Sequence, residues 1–186
     1  MDRVLANATP VAPAIALDAQ MGDRLVAELH RLGLRYLNAG SAMQSVPMTA
    51  ELLLLNLATS PEARLRAALV PLFLWRPEYA SAAVAVVDRL SDPGRATLIC
   101  TYSAAVTYQQ YFAGQLELLA DSVSTLPDLF AAGLNLPPPE DFDARLVAIA
   151  GQHAFLSGEA INWRGTYQHA IANFMRFVRP VRVCHP

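Results

Sequence analysis

From Ala96 to Leu116 the chain carries no charge for 21 residues, reading ATLICTYSAAVTYQQYFAGQL. Such a stretch has two physical outlets. It spans a bilayer, for which about 20 apolar residues suffice, or neighbouring helices bury it on all sides. Thr97, Thr101, Ser103, Thr107, Gln109, Gln110 and Gln115 oppose insertion, and no basic cluster flanks the segment. It therefore predicts a long central helix over 94–120, around which the rest of the chain is built.

The remaining sequence supplies the neighbours. Leu25, Leu29, Leu32 and Tyr36 form one helical stripe, predicting a first helix over 18–37 that ends at Asn38 and Gly40. Proline then punctuates the chain: Pro47 is followed by Pro61, Pro77 and Pro93, the last three spaced by 16. A proline fits the first helical turn, where its missing N–H would be unpaired anyway. Ser60 and Asp92 suit helix caps. These signals predict helices over 49–58, 62–75 and 78–90, with Pro71 kinking or splitting the second. A short turn is expected within 127–133, and the stiff run Leu136-Pro137-Pro138-Pro139 marks a boundary. Helices over 141–157 and 163–178 follow, the first stopped by Gly158 and the second capped by Asn162. The fold class is all-α, a helical bundle or stacked helical hairpins of about seven or eight helices, with a C-terminal helical hairpin. Residues 1–16 are expected as an extended N-terminal arm and 17–186 as a single domain, with a sub-boundary at 134–140.

Charge and composition narrow the function classes. All 14 basic residues are arginine, against 16 acids, for a net charge of −2. General nucleic-acid binding, which needs a positive footprint, is not expected. Only 16% of residues are charged and 54% are hydrophobic, compared with about 25% charged in a typical globular chain. Apolar surface left over after folding predicts a homo-oligomer or a protein partner. The two cysteines, Cys100 and Cys184, have no metal-ligand spacing, which fits a reducing, cytoplasmic setting. The apolar N-terminus is broken by Asn7, Thr9, Pro10 and Pro13 and makes a poor signal peptide. No motif for a metal, a cofactor, a phosphate-binding loop or an activated nucleophile is present, so no cofactor is expected. The first expectation is thus a non-enzymatic, helical protein-interaction or oligomerisation protein.

Two alternatives rest on particular residues. In Arg164-Gly165-Thr166-Tyr167-Gln168-His169 an arginine precedes a histidine by five positions near the start of a late helix. The same spacing class recurs at Arg24 to His30 and at Arg179 to His185. The pattern resembles that of the HEPN superfamily of small helical proteins. The resemblance implies a metal-independent ribonuclease of a toxin–antitoxin or defence system acting across a dimer. Arg164 would hold the scissile phosphate and His169 would act as general acid or base. The second alternative is a small-ligand-binding bundle. Tyr102, Tyr108, Tyr111, Gln109 and Gln110 put polar tips on the central helix, which pair with one another or line a pocket. His153 extends the apolar face of Phe142, Leu146 and Ile149, so it is read as a core histidine, or as a neighbour of Glu159 and Arg164 in a polar pocket. Charge is uneven here. Residues 117–159 hold seven acids and one arginine, and residues 160–186 hold four arginines and no acid. The two segments are expected to pair, or else Arg164, Arg176, Arg179 and Arg182 form an anion-binding face.

Overall fold

The computed structural model describes residues 14–38, 47–116 and 124–178, and among them it is all-helical, with no strand. The helices are α1 (Ala14–Arg31), α2 (Ala50–Ala58), α3 (Ala63–Ala67), α4 (Leu69–Trp75), α5 (Ala80–Val87), α6 (Asp92–Tyr111), α7 (Ala113–Leu116), α8 (Ala131–Leu134), α9 (Phe142–Ser157) and α10 (Trp163–Val178). Helix α6 is the axis of the core. It packs along α9 and is flanked by α4, α2 and α5, and 14 of its 20 residues are buried.

Burial of so polar a helix favours an acceptor for each hydroxyl, and most of them find one, though Ser103 and Tyr108 do not among the described residues. The hydroxyls of Thr97, Thr101 and Thr107 donate to carbonyls one turn back, those of Pro93, Thr97 and Ser103, at 3.0, 2.6 and 2.8 Å. The segment after residue 123 serves the longer side chains. Gln109 Nε2 donates to the Ser124 carbonyl at 3.0 Å, and its Oε1 accepts from the Leu126 amide at 2.7 Å. The Tyr102 hydroxyl donates to the Pro127 carbonyl at 2.9 Å. Among the described residues, no helix is long and apolar enough to cross a membrane.

Arg145 of α9 fixes the neighbouring loops. Its side chain is 2% exposed. It donates to Thr107 Oγ1 at 3.2 Å and to the Pro137 carbonyl at 2.8 Å, and it pairs with Asp128. A buried guanidinium is stable only when paired and hydrogen-bonded in this way. It ties the proline run 137–139 and the 124–128 segment to the α6–α9 contact.

Several boundaries differ from the expectation, each for a local reason. Helix α1 ends at Arg31 rather than near 37. Gly33 takes a positive φ of 97°, and the Leu34 and Gly33 amides donate back to the Leu29 and His30 carbonyls, a Schellman stop. The stripe through Leu32 and Tyr36 therefore continues in a loop. Helix α1 begins at Ala14, inside the expected arm, and residues 1–13 lie outside the described residues. The helix expected over 62–75 breaks at Ala68, one residue after the carbonyl that the Pro71 ring would strike in an unbroken helix. Ser91, not Asp92, occupies the cap position of α6. The central helix stops at Phe112 and resumes as α7, while 117–120 lie outside the described residues. Helices α9 and α10 match their predicted spans. Asp141 accepts from the Ala144 amide, Gly158 adopts a φ of 69°, and Asn162 accepts from the Gly165 amide.

Candidate functional site on helices α9 and α10

His153 sits on the inner face of α9 and is fully buried. Its Nδ1 is 2.6 Å from the Tyr167 hydroxyl on α10, and its Nε2 is 3.2 Å from Thr97 Oγ1 on α6. The Thr97 proton is already donated to the Pro93 carbonyl. Thr97 must therefore accept from Nε2–H, which leaves Nδ1 to accept from Tyr167. The protons form one directed chain, from Tyr167 through His153 and Thr97 to Pro93. Burial, reinforced by the nearby Arg66 charge, lowers the His153 pKa to about 3, so the ring is neutral. The Trp163 ring stacks on it at 3.5 Å between centroids. Both ring nitrogens are engaged, and none is left for a ligand.

The expected company of His153 is only partly correct. Glu159 is nearby, but it answers Arg66 of α3, whose Nη2 lies 2.9 and 3.1 Å from the two carboxylate oxygens. Arg66 also donates to the Ser60 carbonyl at 2.7 Å, and its guanidinium lies over the Trp163 ring at 5.5 Å. Arg66 thus takes the place expected for Arg164. Since 93 residues separate Arg66 from Glu159, no local spacing could have signalled the pair. A cleft of about 270 Å³, lined by Thr59, Arg66, Thr97, Ser157 and Glu159 among others, opens beside this network.

Arg164 and His169 do not converge within one chain. Five residues along a helix turn the side chain by about 140° net. Arg164 reaches Asp143 at 2.8 Å, which is one instance of the expected pairing between the basic last helix and the acidic segment before it. His169 instead bonds Asn173 at 3.0 Å. It lines a cleft of about 560 Å³ with Tyr36, Arg64, Asn162 and Thr166, in which Arg164 has no part.

Arg176 borders a third cleft, of about 420 Å³, between α10 and the C-terminal end of α6. Phe112, Phe142, Ile171 and Met175 form its apolar walls, and Tyr108 and Gln168 also line it. Tyr108 is 3% exposed, yet its hydroxyl has no hydrogen-bond partner among the described residues. Burial, the largest cause, pushes its phenol well above the usual range. Of the tyrosines singled out on the central helix, Tyr102 is paired internally and Tyr108 is not. Arg179 lies outside the described residues.

The outer face of α9 is a feature that the sequence reading passed over. Helix α9 turns Arg145, Leu146, Ile149 and His153 inward. On the opposite side Val147, Gly151 and Phe155 follow one another at four-residue spacing, all exposed, with Phe155 83% exposed. Leu156 is exposed as well. The signal was present in the sequence, since no charge occurs from Leu146 to Gly158, but the inner stripe with the same period took precedence. The chain matches no protein-family model, no curated protein and no solved structure.

Proposed function

We propose that this chain is a helical association protein that pairs with a second copy of itself through the outer face of α9. The observation that carries the proposal is Phe155, an aromatic ring left 83% exposed on a regular helix. It stands in line with Val147, and Gly151 lies between them. Isolated apolar side chains such as Leu52 and Val84 are normal on a surface, whereas an aligned, uncharged stripe marks association.

The stripe is complementary to itself. A Cβ placed on Gly151 would meet nothing within 4 Å, so the glycine leaves an open notch. In a two-fold, antiparallel pair of α9 helices centred on Gly151, Phe155 of each copy passes over that notch toward Val147 of the other. Such an isologous contact uses the same patch twice, which suits one short stripe. Low overall charge and high apolar content support the same conclusion.

Sedimentation velocity over a concentration series tests it. The wild-type chain is expected to approach twice the chain mass. Phe155→Arg and Gly151→Leu are expected to return it to a single-chain mass while the helical circular dichroism is kept. A single-chain mass at every concentration, or a dimer indifferent to both substitutions, overturns the proposal.

A further inference from the structure

We infer that the cleft between α10 and the end of α6 binds a small apolar molecule carrying one carboxylate. Its shape and size come first. A volume of about 420 Å³ falls within the common range of small-molecule sites, roughly 300–1,000 Å³. The walls are aromatic and aliphatic. Tyr108 meets Phe142 edge-on at 5.5 Å and lies parallel to Phe112 at 6.1 Å, which leaves flat ring surface for an apolar body.

The polar groups then select the charge. Arg176 is exposed and makes no ion pair among the described residues, although Arg145 and Arg164 on α9 and α10 are each paired with a carboxylate. Among the described residues no acidic side chain lines the cleft, and Arg176 is the charged residue in its lining; the Asp143 and Arg164 charges that also act on Tyr108 are paired with each other. Among the described residues the Tyr108 hydroxyl is a buried donor without an acceptor, whereas the other deeply buried tyrosines, Tyr102 and Tyr167, have partners at 2.9 and 2.6 Å. An orphan buried donor costs about 1–3 kcal/mol. Gln168 adds a neutral donor and acceptor beside it. An apolar acid meets each of these demands: its body covers the rings and its carboxylate accepts from Tyr108, Gln168 and Arg176. A second carboxylate or a phosphate dianion would bring charge that one guanidinium does not match.

Isothermal titration calorimetry with 2-naphthoate, and with 2-naphthalenemethanol as its neutral counterpart, tests the site on the full chain. The acid is expected to bind about tenfold more tightly than the alcohol, the effect of one charge-assisted hydrogen bond. Arg176→Gln is expected to remove that preference, lowering affinity for the acid about tenfold and leaving the alcohol unchanged. Ala172→Trp, on the exposed side of α10 against the cleft, is expected to abolish binding of both while preserving the melting temperature. Equal affinity for acid and alcohol, binding that survives Ala172→Trp, or no heat at millimolar acid each overturns the inference. Phe155→Arg is expected to bind the acid as the wild type does, so this site and the association face stand or fall separately.

Discussion

The two ends of the α6–α9 contact are built from similar materials and finished differently. At one end His153 lies between Tyr167 and Thr97, stacked on Trp163, with both imidazole nitrogens bonded. At the other, Tyr108 lies among Phe112 and Phe142 with its hydroxyl unbonded among the described residues and a cleft beside it. Both ends hold an aromatic cluster, a buried phenol and a nearby arginine. The difference lies in closure. Where the chain through the imidazole is complete, that ring holds the fold and has no nitrogen to offer a ligand. Where the polar chain is incomplete, a donor and a cation stand ready for one.

Substitutions sharpen this contrast. The largest effect is expected for His153→Ala, which opens a cavity against Trp163 and orphans the Tyr167 hydroxyl. A loss of about 4 kcal/mol in urea unfolding is expected, and a loss under about 1 kcal/mol would mean that the chain through His153 is not closed. Next comes the paired comparison of phenols. Tyr167→Phe strips His153 of its donor and should cost about 2 kcal/mol, whereas Tyr108→Phe removes a group that has no partner and should be neutral within about 0.5 kcal/mol or stabilising. Equal losses at the two sites would erase the distinction between the ends.

The smallest effect is the pH dependence of His153. Its pKa falls from 6.5 to about 3 on folding, so the unfolded chain binds a proton in that window that the folded chain does not. The contribution is complete above the unfolded pKa and is lost as the pH falls toward the folded one, by at most about 1.4 kcal/mol per pH unit. Between about pH 7.5 and about pH 5.5 the wild type should lose roughly 1.4 kcal/mol more than His153→Gln, measured by urea unfolding. An identical pH response in the two proteins would show that His153 titrates alike folded and unfolded.

The legible part of this molecule was local. The caps Asp141, Asn162 and Gly158 set the ends of α9 and α10 because each acts on amides or carbonyls within a few residues. The uncharged run of α6 announced its own burial, since its threonines and glutamines oppose a bilayer and leave packing among helices. His153 was readable as an inward residue from its period with Leu146 and Ile149. Its partners were not, because Arg66, Thr97 and Trp163 reach it from other helices. Leucine periodicity overran the end of α1, because it records which side chains are buried and not whether the backbone between them stays helical. Leu32 and Leu34 are both buried on either side of the Gly33 turn.

The all-helical class and the limits of the last two helices follow from periodicity and caps within a turn or two of chain, and the central place of α6 follows from its uncharged composition. Packing between distant elements set the rest: Arg164 answers Asp143 and not His169, Arg66 closes over Trp163 to Glu159, and Tyr108 alone of the three deeply buried tyrosines lacks a partner among the described residues. Those outcomes depend on which side chains distant elements bring together, and a one-dimensional pattern carries no record of that distance.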